Sequence, residues 1–224
     1  GWRATLVRRD AFTDRATRTL TVQARAVVNA AGPWAEQLLR RDMGVPAAAS
    51  GGRQGGRAAH LRLVKGSHIV VPRLFSHDHA YLLQGQDRRV VFAIPYERDF
   101  TLIGTTDVDH PGDPGEVTVS DEEVRYLCAA VGRYLRRPVT PDDVVWRFAG
   151  VRPLLDDAHG APAAVTRDYR LEVQTQPAPW LTVWGGKLTT FRLMAERAAD
   201  RIGTLLGDPR AHWTTEALLP GGLL

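Results

Sequence analysis

Apolar and polar residues alternate in short runs at the start of the chain. Trp2 to Val7 alternates until the polar Arg8-Arg9-Asp10, Thr13-Asp14 marks a turn, and Thr19-Leu20-Thr21-Val22 alternates again. Ala26 to Ala30 is a short apolar run. A period of two predicts a hairpin feeding an inner strand. Ala31-Gly32-Pro33 breaks the pattern. From Trp34 to Met43 the apolar positions Trp34, Leu38 and Leu39 lie on one side of a short amphipathic helix, with Pro33 early, where its missing N–H costs nothing. Residues 44–59 are rich in Gly, Ala and Arg and predict a flexible loop or insertion.

Residues 61–106 carry five strand patterns: Leu61–Val64, His68–Val71, Ala80–Leu83, Arg89–Ile94 and Phe100–Gly104. Their close spacing predicts an antiparallel or mixed sheet. Thr105-Thr106-Asp107 closes the last of them. Ser120-Asp121-Glu122-Glu123 is a capping box opening a helix over Asp121–Arg137, with Val124, Leu127, Cys128, Val131 and Leu135 on its buried face. Cys128 is thereby a core residue. Strands follow at Val144–Phe148, Tyr169–Val173 and Leu181–Trp184. Gly185-Gly186 then leads into a helix from Leu188 to Leu206, with Gly207 as its C-cap. The expected fold class is α/β with an α+β second domain.

Composition narrows the function classes. The 224 residues suffice for one large domain or parts of two, and 44% hydrophobic residues exclude a disordered chain. With 29 basic and 25 acidic side chains the net charge is only +4, so charge does not imply a nucleic-acid partner. The single cysteine excludes an internal disulfide and a Cys-rich zinc site, and fits a reducing compartment. No apolar run approaches the ~20 residues of a membrane span. The signatures H-E-x-x-H, G-x-x-x-x-G-K-[ST], G-x-S-x-G and G-x-G-x-x-G are absent.

Gly185-Gly186-Lys187-Leu188-Thr189-Thr190 is the sharpest chemical feature. The glycines admit a close approach to the backbone, and the helix start offers unpaired N–H groups and partial positive charge. The same residues equally suit a tight turn with Thr189 or Thr190 as N-cap. Arg152, Arg167 and Lys187 lie at element junctions and would together suit a small phosphate ester. Surface ion pairing, for example of Arg167 with Asp168 or Asp156, is the plain alternative. His68 opens a strand and could act as a general base, although a hydrogen-bonded or surface histidine is the ordinary reading.

Five segments then occur in order: Val27-Val28-Asn29-Ala30-Ala31-Gly32-Pro33-Trp34, Lys65-Gly66-Ser67-His68-Ile69-Val70-Val71-Pro72, Ile103-Gly104-Thr105-Thr106-Asp107, Gly150-Val151-Arg152-Pro153-Leu154 and Gly185-Gly186-Lys187-Leu188-Thr189-Thr190-Phe191-Arg192. Together they resemble FAD-dependent glycerol-3-phosphate dehydrogenase, of the D-amino-acid-oxidase-like flavoprotein superfamily, over nearly the whole chain except 44–59. The first segment alone is superfamily-wide, while the others together are specific.

The resemblance implies FAD as cofactor and oxidation of sn-glycerol 3-phosphate to dihydroxyacetone phosphate, with electrons passed to quinone. It implies that residues 1–43 and 181–224 form part of a flavin domain, with strand 26–30 near strand 181–184, and that 60–180 form the substrate domain. The positions matching Arg152, Arg167 and Lys187 face the substrate phosphate or the flavin, and the match of His68 lies near the reacting carbon. His68 and Arg152 are thus the catalytic candidates. Gly185 to Thr190 would lie along the flavin, and Ala31 and Gly32 near its nucleotide half. No metal is implied. The resemblance further implies a cytoplasmic enzyme, with room for peripheral attachment to the inner face of the membrane and for a homodimer. A sister oxidase passing electrons to O₂ and a non-catalytic module keeping the fold are the alternatives. The family's strand–G-x-G-x-x-G–helix unit and its C-terminal helical region find no match, and both ends look cut. The 224 residues are therefore expected to be an internal fragment that, alone, does not hold FAD tightly or show full activity.

Overall fold

The computed structural model describes residues 1–44, 60–156 and 168–222. The expected loop at 44–59, but for Gly44, and Arg167 lie outside the described residues. In chain order the elements are β1 (Trp2–Arg9), β2 (Ala16–Ala24), β3 (Val27–Asn29), α1 (Ala35–Gln37), β4 (Leu61–Pro72), β5 (Tyr81–Gln84), β6 (Val90–Tyr96), β7 (Phe100–Gly104), β8 (Val108–Asp109), α2 (Asp121–Gly132), β9 (Trp146–Leu155), β10 (Tyr169–Gln174), β11 (Trp180–Gly185) and α3 (Phe191–Leu206). None of the helices among the described residues is long and apolar enough to cross a membrane.

These elements fall into two units, one drawn from 1–60 and 167–224 and the other from 61–166. In the first, β1 and β2 form an antiparallel hairpin. The Trp2 indole donates to the Pro179 carbonyl at 2.7 Å and stands edge-on to Trp180, which ties the hairpin to the start of β11. A separate mixed sheet runs β10-β11-β3, with β11 antiparallel to β10 and parallel to β3. The strand at 169–174 therefore belongs with this unit, so the boundary falls before it and not at 181: its whole ladder, Tyr169↔Gly185 to Gln174↔Trp180, is made with β11. The helical stretch after β3 is irregular. A 3-10 turn (Gly32–Trp34), the single turn α1 and a wider π turn (Leu38–Asp42) replace the regular helix expected at 34–43.

The second unit is a six-stranded antiparallel sheet with α2 across one face. The apolar stripe of α2 (Val124, Leu127, Cys128, Val131) packs on Ile69 and Val71 of β4, Val91 and Ala93 of β6 and Ile103 of β7. Cys128 is buried there, and burial pushes its thiol up, as a core residue requires. The helix ends at Gly132 and not at Arg137; Pro138 lies just beyond. The two strands expected at 61–64 and 68–71 are one continuous strand, β4, paired with β9 from Leu61↔Leu155 to Val70↔Trp146.

Candidate active site

Side chains alternate across a strand, so β4 presents Lys65, Ser67, Ile69 and Val71 to α2, and Val64, Gly66, His68 and Val70 to the opposite face. On that opposite face one row crosses five strands: Leu82, Phe92, Gly104, His68 and Phe148. Gly104 leaves the room His68 uses. A Cβ at 104 would lie 2.1 Å from His68 Cδ2. The imidazole stacks on Phe148, centroids 5.0 Å apart and planes 7° apart. Its Nδ1 is buried without a hydrogen-bond partner among the described residues. Burial, and then the Arg152 charge, lower its pKa from the ordinary 6.5, which favours the neutral ring.

Arg152 lies within β9, opposite Val64, and not at a strand end, because Pro153 continues the ladder opposite Leu63. Its guanidinium rests on Gly66, where a Cβ would come within 2.4 Å of both Nη atoms. Nη1 donates to Asp107 Oδ1 at 3.1 Å and to the Thr106 carbonyl at 3.3 Å, and Nη2 donates to Thr105 Oγ1 at 2.9 Å. Opposite Gly66 is Gly150, above which a Cβ would meet nothing within 4 Å. Gly66 and Gly104 thus make room on one face for a guanidinium and an imidazole, with Gly150 open beside them. Glycine inside a strand pattern signals such close approach, and that signal could have found these positions in the sequence.

On the other face of the sheet, Glu123 of α2 is buried. Its Oε1 accepts from Ser67 Oγ and Thr106 Oγ1, both at 2.8 Å, and its Oε2 meets Lys65 Nζ at 2.6 Å. The expected capping box is also present, with Ser120 N donating to Oε2 at 3.0 Å. Burial alone would raise the carboxyl; the donors from Lys65, Ser120, Thr106 and Ser67 outweigh it and hold the pKa at about 2. Beyond its capping role with Ser120, no pattern along the chain marks Glu123.

The first unit gathers the other candidates. Asn29 is buried, with Nδ2 donating to the Ala35 carbonyl at 2.9 Å and Oδ1 accepting from Ala31 N at 3.2 Å. This pins the exit of β3 as it turns through Gly32, φ +55°. Gly32 and Gly185 each lie three residues past the Asn29↔Thr182 pair, so the carboxyl ends of two parallel strands meet in glycines. That end of a parallel sheet is where α/β folds bind nucleotides. Gly185 and Gly186 have φ +67° and +97°, which side-chain-bearing residues rarely adopt. A Cβ on Gly186 would lie 3.2 Å from Met194 Sδ.

Lys187 and Leu188 are exposed, and the 3-10 turn Leu188–Thr190 has no side-chain cap. Thr190 precedes α3 without capping it: its hydroxyl donates to the Lys187 carbonyl at 2.9 Å. The first N–H groups of that turn are therefore open to an electron-rich ligand. A cleft of about 460 Å³ lies beside both glycine turns, lined by Val28, Val183, Met194, Ala198 and Ile202 among others. Paired glycine turns, a backbone cradle and an uncapped helix start suit a flavin dinucleotide. The structure thus brings Ala31 and Gly32 together with Gly185 to Thr190 in one unit, and His68 together with Arg152 in the other.

The family model for FAD dependent oxidoreductases matches residues 3–192. The chain is 42% identical to the aerobic glycerol-3-phosphate dehydrogenase of Escherichia coli over 204 residues, 90% of this chain and 39% of that protein. It is 45% identical to the D-erythritol 1-phosphate dehydrogenase of Brucella abortus over 205 residues, 91% of this chain and 39% of the relative. A solved Bacillus halodurans glycerol-3-phosphate dehydrogenase complexed with FAD superposes with a TM-score of 0.72 at 33% identity, covering 97% of this chain and 39% of that one. The chain spans about two fifths of the length of these relatives. By its matched motifs and its fold, the chain belongs to the FAD-dependent oxidoreductase family.

Proposed function

We propose that the full-length protein oxidises sn-glycerol 3-phosphate to dihydroxyacetone phosphate, with FAD as cofactor and a quinone as final acceptor. One observation carries this reading: the His68 imidazole, its Nδ1 buried without a partner among the described residues, lies beside an Arg152 guanidinium held against Gly66. Oxidising C2 of the substrate removes the hydroxyl proton and the C2 hydrogen with its bonding pair, as hydride. FAD, when bound, supplies the acceptor for that pair.

His68 takes the hydroxyl proton on Nε2, Nδ1 being buried. Arg152 holds the phosphate and so orients C2. Gly185 and Gly186 let the cofactor lie against the backbone. The open N–H groups of Leu188 and Thr189 would stabilise negative charge on the cofactor. A quinone acceptor is lipid-soluble, so peripheral attachment to the membrane goes with this reading.

Replacing Arg152 tests the assignment. In the full-length protein Arg152→Ala is expected to lower kcat/KM for glycerol 3-phosphate at least tenfold (~1.4 kcal/mol), and a smaller loss overturns the phosphate anchor. The similarity to the Brucella protein supports a second substrate, a four-carbon polyol phosphate. The ratio of kcat/KM for the two phosphates decides between them.

A further inference from the structure

Glu123 is bound more heavily than its place in a helix requires. A capping-box glutamate need only reach back to the N-cap amide. Here the residue is 6% exposed. Five donors converge on its carboxylate: Lys65 Nζ, Ser67 Oγ, Thr106 Oγ1, Ser120 N and Ser120 Oγ. The apolar stripe of α2 already fixes the helix to the sheet, and a buried charge adds little stability over an apolar contact.

The extra donors come from the two segments that carry His68 and the partners of Arg152. Ser67 and Lys65 bracket Gly66, and Ser67 precedes His68. Thr106 lies between Thr105 and Asp107, the side chains that hold Arg152. Thr106 gives its hydroxyl to Glu123 and its carbonyl to Arg152 Nη1. Ser67 N donates to Thr106 Oγ1 at 3.0 Å, which joins the two segments directly.

We propose that Glu123 is the positioning residue of this face: from beneath the sheet it fixes the strand bearing His68 and the turn holding Arg152 at one separation. The proposal rests on the reading that His68 and Arg152 act on the substrate. Arg152, paired with Asp107, is the charged group beside His68, while Lys65 and Glu123 lie under the opposite face.

Thr106→Val and Ser67→Ala each remove one hydroxyl at Glu123 from the full-length protein, and Glu123→Gln removes the charge. Two readouts separate positioning from bulk stability: the titration of His68 followed by NMR without substrate, and the division of any loss between KM and kcat. With Arg152 and His68 no longer held, the His68 midpoint is expected to rise toward the ordinary value. KM for glycerol 3-phosphate should increase at least roughly fivefold, with kcat changing less.

Folded variants whose His68 midpoint and KM stay unchanged overturn the proposal. So does a loss of activity that merely follows the loss of folded protein. If Glu123→Gln does not fold, the two hydroxyl variants decide. A wrong functional reading leaves a different trace: Arg152→Ala would then keep turnover, while the His68 midpoint in Thr106→Val would still move.

Discussion

Two glycines determine what this face can hold. Gly66 and Gly104 interrupt an otherwise apolar pattern, and the alternation around Lys65-Gly66-Ser67 accordingly reads as a gap between two strands. The structure instead runs one strand through, because a ladder needs only backbone and the missing side chains make room for Arg152 and His68. The motif letters were legible; what the glycines make way for depends on strands more than 30 residues away. A Gly66→Ala substitution puts a methyl where the flexible end of Arg152 rests. Arg152 can swing aside at little cost to the fold. The expected result is a KM for the phosphate substrate raised about tenfold (~1.4 kcal/mol), with a melting temperature close to that of the unaltered protein. Steady-state kinetics and a thermal melt check both halves.

At the scale of the element, α2 shows where sequence patterns stop informing. Its start was readable from Ser120 and Glu123, only three residues apart. The rest of the Glu123 network was not, since Ser67 lies 56 residues away and no periodicity links it to a helix start. Stability follows from the same carboxylate. Its pKa in the fold, about 2, lies below the ordinary 4.5, so on acidification the unfolded chain takes up the proton first. The stabilisation is whole above about 4.5 and is lost as pH falls toward about 2. Denaturant unfolding across that window should therefore show stability falling with pH. Glu123→Gln should flatten part of the slope and, by breaking a buried pair, cost about 3 kcal/mol at neutral pH.

For the whole molecule, the two units divide the proposed chemistry: one carries His68 and Arg152, the other the glycine turns. The sequence allowed the two ends of the chain to be read as partners, and β3 does pair with β11. The expectation that put 169–174 in the substrate domain is corrected by its ladder to β11, which no pattern along the chain could show. In the proposed reading the glycine turns lie against a flavin, but the sequence contains no G-x-G-x-x-G to hold a pyrophosphate. The 224 residues alone are expected to purify without stoichiometric FAD, and an absorbance spectrum with full flavin occupancy would contradict this.

The β3–β11 ladder has a consequence of its own. Only three rungs pair β3 with β11, and the Trp2–Pro179 hydrogen bond joins the same two ends of the sequence. A ligand lying across Gly32 and Gly185 would act as a staple over that seam, binding the closed arrangement and not the open one. Loading and tertiary order would then rise together, and a lesion in the early hairpin would be felt first as a leak of colour from the protein.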